Sequence, residues 1–317
     1  MVTASATSPS YSRPGALMKD NFPDLLNVQF REIKRRELSG PVQGLKFFTV
    51  RNTSRDYEKH NYVTGMGLAQ KSRDVDRMPY AYILQGFDNT YTPDDFRLAV
   101  RVEKRLRETD QFGVISSLMS SLMQAGRDTV EYWAADAFNT GFTSAAKWVC
   151  ADGMYLFDSG RPQEDAGQTS WSNLETGGAP TQAAIATMRV NFRKNVNSRG
   201  LVRPITMKTI ICPPALEDTV VVNSNSSLKP GTSLNDDNYN KRHGFTIDVW
   251  DYLSSDTQWF GMGAKDMRHE LFWYWRVKPE TLTYLAGDNP DVTVHRLRMS
   301  YITGADRPCN LRGNVGA

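Results

Sequence analysis

The residues of this chain that could do chemistry do not come at the spacings that chemistry requires. Its four histidines are His60, His243, His269 and His295. No two of them stand three or four residues apart, as two imidazoles on one helical face gripping a metal would. Asp266 and the pair His269-Glu270 could share a helical face, but one imidazole beside carboxylates leaves a metal site short of ligands. Cys150, Cys212 and Cys309 form no Cys-x-x-Cys pair and have no histidine next to them, so no thiol nucleophile or disulfide framework is indicated, and a reducing compartment is the simpler reading. Gly65-Met66-Gly67 and Gly261-Met262-Gly263 are only fragments of a dinucleotide fingerprint, and both read as turns. The acidic pairs Asp94-Asp95 and Asp236-Asp237 likewise read as turn residues that cap or solvate loops. No catalytic residue, metal or cofactor is expected, and the chain reads as a non-enzyme.

Two clusters could instead meet nucleic acid. Arg31, Lys34, Arg35 and Arg36 lie among Glu32 and Glu37 in a segment from Phe22 to Leu38 that reads as a helix. A solvated mixed-charge face is one reading, and a basic arm on nucleic acid or a neighbouring subunit is the other. Phe272-Trp273-Tyr274-Trp275, with Arg268, Arg276 and Lys278 nearby, could stack bases, but a strand buried between two layers explains it more simply. The balance of 38 Lys and Arg against 35 Asp and Glu gives a net charge of +3. That is weaker than a protein dedicated to nucleic-acid binding carries. No apolar stretch reaches the roughly 20 residues that cross a bilayer, and no membrane partner is expected.

The elements that would position these residues point to an α+β chain. Residues 1–20, rich in Ser, Thr, Ala and Pro, read as a flexible arm without a secretion signal. Phe47-Phe48-Thr49-Val50 and Tyr80-Ala81-Tyr82-Ile83-Leu84 look like strands enclosing a charged, weakly apolar insert. The insert carries Arg51, Arg55, Asp56, Glu58, Lys59, Lys71, Arg73, Asp74, Asp76 and Arg77. A ribbon with arms of about 15 to 20 residues would reach roughly 50 to 65 Å, and a lone two-stranded ribbon needs a partner to lie on. Phe96, Leu98, Val100 and Val102 alternate as in a half-buried strand. From Thr109-Asp110 to Asn139, apolar residues recur at three and four, a helix of roughly 40 Å. A second helix is expected over Ala183–Asn197, and strands over 209–214, 245–250, 271–275 and 292–299, with an Asn-rich loop at 223–240 between them. No strict strand-helix-strand rhythm is present, which disfavours a doubly wound sheet.

Five segments in this order resemble the major capsid proteins of tailed bacteriophages. Tyr91 to Glu103 resembles the strand returning from that family's extended loop. Thr109-Asp110-Gln111-Phe112-Gly113 and the helix to Gly141-Phe142 resemble its spine helix. Asp152-Gly153-Met154-Tyr155-Leu156-Phe157-Asp158 with Ser172-Asn173-Leu174 resembles its Asp-Gly-x-x-Leu-Phe and Ser-Asn-Leu signature. Ile210-Ile211-Cys212-Pro213-Pro214-Ala215-Leu216 and Asp256-Thr257-Gln258-Trp259-Phe260 resemble two further elements. One departure is visible: family members often carry Ser-x-His-Pro where this chain has Ser159-Gly160-Arg161-Pro162.

The resemblance implies the Hong Kong ninety-seven-type capsid fold. Its parts would be an N-terminal arm (1–44), an extended β-hairpin loop (45–92), a peripheral domain with the spine helix (93–180), a mainly axial domain (181–275) and return strands (276–317). It also implies hexamers and pentamers of an icosahedral shell around double-stranded DNA, with portal and scaffold or decoration partners, assembled in the host cytoplasm into the virion. The charges of the insert would then set register on a neighbour. Deletion of residues 52–76 is expected to leave a folded subunit unable to close shells. In some relatives a loop lysine joins a neighbour's asparagine covalently; Lys59 and Lys71 are the lysines available for that here. An encapsulin-like compartment shares the fold, and a DNA-binding protein using Arg31 to Arg36 is the reading from another class.

Overall fold

The computed structural model describes residues 16–17, 42–69, 71, 78, 80–109, 113–143, 148–165, 167–229, 236–264, 271–287 and 289–316. In chain order, β1 (Ala16–Leu17), β2 (Thr49–Asn52), β3 (Glu58–Val63), β4 (Gln85–Tyr91) and β5 (Asp94–Glu103) precede α1 (Lys104–Thr109) and the long helix α2 (Val114–Asn139). Then come β6 (Leu174–Glu175), α3 (Gln182–Arg193), β7 (Met207–Cys212), α4 (Glu217–Asn225), β8 (Thr246–Val249) and β9 (Trp259–Gly263). The order closes with β10 (Leu271–Ala286), β11 (Asn289–Ala305) and β12 (Leu311–Asn314). This is the α+β class expected. The chain divides into two compact units, one of residues 1–41, 95–129 and 277–300, the other of residues 42–94, 130–276 and 301–317.

In the first unit, β1 runs parallel to β5, pairing Ala16 with Arg101 and Leu17 with Val102. Leu122 and Met123 of α2 pack on Leu297 and Val100. Gly126 lies against Leu297, where a Cβ would come within 2.7 Å of its Cδ2. A separate cluster of Ala286, Val292 and Val294 sits at the turn between β10 and β11. The period read in the sequence holds along the 26 residues of α2: Ile115, Met119, Leu122, Met123, Val130, Ala137 and Phe138 are buried.

The second unit is built on a sheet of order β6-β12-β9-β7-β8. β12 pairs antiparallel with β9 and parallel with β6. Helix α3 starts at Thr181, whose hydroxyl accepts the Ala184 N–H at 3.2 Å, an N-cap that satisfies one of the orphan donors. It buries Ile185, Met188 and Phe192 in a core with Ile210, Cys212 and Trp259. A second nucleus is aromatic: Phe138, Phe157, Phe260 and Trp250 pack with centroid separations of 5.1 to 6.3 Å, distances favoured by edge and offset ring geometry.

Several expectations shift. Gly261-Met262-Gly263 is a stretch of buried strand, not a turn; a Cβ on Gly261 would strike the Met188 sulfur, so glycine lets α3 approach the sheet. Asp94-Asp95 likewise opens strand β5 rather than a turn. Residues 80–84 are not strand, and the ribbon of β3 and β4 begins only at Gln85 on that side, far shorter than the arms expected. Helix α3 stops at Arg193 rather than Asn197. There the Asn195 amide donates to the Cys309 carbonyl at 3.1 Å, and the Asn197 carboxamide accepts the Arg199 and Leu201 N–H groups. Asparagine offers the backbone these alternatives to helix. Helices α1 and α4 were not foreseen, and the Asn-rich loop loses its first residues to α4.

Candidate functional site

The stretch at 150–174 folds around a single cation. Gly153, at φ 78°, turns the chain so that the Gly153 N–H meets the Cys150 carbonyl at 2.9 Å. The Asp152 carboxylate accepts the Met154 N–H at 3.1 Å, an Asx turn that aims its other oxygen inward. Arg161 and Trp171 then pair through both backbone hydrogen bonds, which swings the Arg161 side chain into the gap. Arg161 has no solvent exposure. Its guanidinium bonds the Asp152 carboxylate at 2.6 Å, the Asn173 carboxamide oxygen at 3.1 Å and the Cys150 sulfur at 3.1 Å, and it also donates to the Tyr155 carbonyl. Asn173 returns its NH2 to the Leu156 carbonyl at 2.6 Å, and its own carbonyl accepts the Gly313 N–H from β12 at 3.1 Å. A buried charge is tolerated when it is paired and its remaining protons are bonded. The residue that looked like a departure from the family pattern is therefore the centre of the signature.

Beside this network, at the root of the β3–β4 hairpin, lies a cleft of about 580 Å³ lined by His60, Tyr62, Glu164, Tyr274, Asp306 and Arg307 among others. His60 Nδ1 lies 2.7 Å from an Asp306 carboxylate oxygen. The Tyr91 hydroxyl donates to the other oxygen of Asp306 at 2.9 Å. Burial, followed by the Asp306 charge, pushes the Tyr91 phenol far above its ordinary range, so it stays a donor. His60 packs on Phe272 at 4.5 Å between centroids, with Tyr91 and Tyr274 each at 5.5 Å. Arg307 completes the wall, bonding Glu164 at 3.2 Å and Gln163 at 2.7 Å. Among the described residues no group of three or more His, Cys, Asp and Glu could hold a metal ion. Asp266, His269 and Glu270 lie outside the described residues.

Further out, Thr64 and Leu84 close the hairpin with paired backbone and hydroxyl bonds of 2.9 to 3.1 Å. Arg199 sits against the strands just beyond. It donates to the Gly65 carbonyl at 3.1 Å and the Tyr82 carbonyl at 2.5 Å, pairs with Asp165 at 2.9 Å and covers the Tyr82 ring at 4.8 Å. Of the charged residues anticipated on this loop, Arg55 pairs with Glu58 at 3.1 Å, Asp56 with Arg276 at 2.6 Å and Lys59 with Asp88 at 2.6 Å. Arg51 lines the cleft, and Lys71 is exposed. Arg73, Asp74, Asp76 and Arg77 lie outside the described residues, as do Arg31, Lys34, Arg35 and Arg36 of the basic segment. Sequence reasoning missed Arg161, Arg199 and the partners of His60. Only Arg161 left a signal, as a lone cation inside a motif otherwise recognised.

A family model described as phage capsid protein matches residues 88–313. This chain belongs to the phage capsid protein family. The matched span runs from β4 through the signature to β12. The capsid of the cyanophage P-SCSP1u superposes with a TM-score of 0.55 at 12% identity, over 86% of this chain and 86% of that one. A chain of Microbacterium phage Oxtober96 gives 0.53 at 9% identity over 88% and 92%. The capsid of Ralstonia phage GP4 gives 0.52 at 10% identity over 84% and 86%. No curated protein sequence matches. At these identities the likeness is one of fold, and it is the Hong Kong ninety-seven-type fold that the signature implied. Membership gives the capsid protein a place in the viral shell and an oligomeric state. No described helix is long and apolar enough to cross a membrane.

Proposed function

We propose that the capsid protein is the major subunit of an icosahedral head, assembling as hexamers and pentamers around double-stranded DNA. The observation that carries this reading, beside the family, is the segment beyond Thr64 and Leu84. It presents Met66, Leu68, Met78, Tyr80, Tyr82 and Ile83 to solvent, with Leu68 78% and Tyr80 90% exposed. So much exposed apolar surface on a short projection marks a docking element, and the occupant that fits a shell subunit is a second copy of the chain. Its flanking charges, Arg51, Arg55, Asp56, Glu58, Lys59 and Lys71, with Arg73, Asp74, Asp76 and Arg77, would set register on that neighbour. In this reading residues 1–44 are the arm, 45–92 the extended loop, 93–180 the peripheral domain, 181–275 the mainly axial domain and 276–317 the return strands. Portal, scaffold and decoration proteins are its further partners, the host cytoplasm its place of assembly, and its work is structural rather than catalytic.

The test is removal of residues 65–83 with a short Gly-Ser bridge from Thr64 to Leu84. This spares β3, β4 and the His60–Asp306 tie, which a deletion of 52–76 would destroy. Electron microscopy should find soluble subunits or capsomers without closed shells. Normal shells from that variant would sink the assembly role of the loop.

A further inference from the structure

The net charge of +3 conceals a local concentration of cations in the second unit. Arg189 and Arg193 stand four residues apart on α3, hence on one helical face, and Lys208 is the second residue of β7. The tight turn Tyr239–His243 adds Lys241 and Arg242. Two guanidinium groups lie over the Tyr239 ring, Arg189 at 5.8 Å and Arg242 at 5.7 Å from its centroid. His243 meets the same ring edge-on at 5.2 Å. Arg193, Lys208, Tyr239, Lys241 and Arg242 are all exposed.

Among the described residues, compensating acids are scarce. Asp237 approaches Arg242 only to 3.7 Å, with both side chains largely in water, a pairing worth little. Among the described residues Arg189, Arg193 and Lys208 have no carboxylate within ion-pair distance. The potential is felt by His243, held below the usual imidazole range first by burial and then by Arg189, Arg193 and Lys208. A cluster left uncompensated in this way is destabilising self-repulsion unless a partner supplies the negative charge.

We infer that Arg189 and Arg242 beside the Tyr239 ring, together with Arg193 and Lys208 near His243, form a docking surface for the phosphate backbone of nucleic acid. The choice of nucleic acid over an acidic polypeptide rests on the shell reading above, in which DNA is the dominant polyanion the subunit meets. Aromatic rings held among guanidinium groups are also the mixture that backbone-tracking surfaces use. The contact is sequence-independent, because the groups come from a helix face, a strand start and a turn, none shaped to enter a groove.

The test uses the soluble, unassembled subunit and a fluorescent 30-base-pair duplex, with anisotropy followed from 50 to 200 mM salt. Each phosphate neutralised contributes about 0.9 to the slope of log affinity against log salt. R189Q/R193Q/K208Q should therefore flatten the slope by about 2.7. R193Q/K208Q, which touches only exposed side chains and guards against misfolding of the triple variant, should flatten it by about 1.8. Equal slopes in parent and double variant overturn the inference, as does a parent that fails to bind the duplex at 50 mM salt. Tighter binding of polyglutamate than of DNA through the same residues also overturns it, by assigning the surface to an acidic protein. The two readings fail separately: missing shells in micrographs would count against the shell, and an unchanged salt slope against this surface.

Discussion

Replacing Arg161 is the sharpest test of how the signature stretch holds the second unit together. Arg161→Met keeps the apolar stem and removes the charge. It leaves the Asp152 carboxylate, 5% exposed, without its partner, and strips a donor from the Asn173 carboxamide and the Tyr155 carbonyl. Removing one member of a buried pair costs about 3 to 5 kcal/mol. Asp152→Asn should cost a similar amount, because it strands the guanidinium instead. The double variant R161M/D152N leaves no buried charge, so its loss should fall short of the sum of the two by about 1 to 3 kcal/mol. Urea unfolding of the soluble subunit, followed by tryptophan emission, reads all three; Trp171 reports directly, since Arg161 lies 5.3 Å over its ring. A domain holds only about 5 to 15 kcal/mol in total, so each single variant should shift the midpoint plainly. Strict additivity, within about 0.5 kcal/mol, would refute the claim that Arg161 and Asp152 act as one buried unit.

Gly261→Ala should cost about 1 to 3 kcal/mol, because a methyl there meets Met188, Phe192 and Met207 and the core must open; unchanged thermal stability would argue against close approach of α3 to β9. Arg199→Ala should leave stability nearly intact while limited proteolysis cuts residues 65–83 several times faster, since that guanidinium ties Gly65 and Tyr82 to Asp165; an unchanged cleavage rate would deny the tie. Burial pushes the Cys212 thiol up to about 11. The unfolded thiol ionises near 8.5, so this group's contribution is intact below that pH and fades as pH climbs toward 11, while alkylation of the folded protein at pH 8 should spare Cys212. With Lys59 held by Asp88, boiled denaturing gels of shells should show a monomer band; ladders would implicate Lys71.

What could be read from the sequence was what repeats or punctuates. The burial of α2 follows its three-and-four spacing, and Pro213 and Pro214 end β7 as prolines must. What could not be read depends on contacts across long separations. Asn195 ends α3 because Cys309 waits for its amide, and nothing near residue 195 announces this. Gly261 looked like a turn because glycine usually marks one, whereas here the missing Cβ makes room for a helix some seventy residues earlier in the chain. The charges of the extended loop were visible as charges, but their partners Arg276 and Asp88 are set by folding. Arg161 was noticed only for the histidine it replaces, since one line of sequence does not say which cation is buried.

The place of β12 has a consequence for biosynthesis. This strand, Leu311–Asn314, is inserted between β6 and β9, and its Gly313 N–H is received by Asn173 of the signature. Because no Cβ stands at Gly313, Phe142 and Phe157 can lie against it. The sheet of the second unit therefore stays open on the ribosome until residue 314 has cleared the exit tunnel. Folding of this sheet therefore couples residue 174 to residue 314, and β6 and β9 remain unjoined until β12 is available.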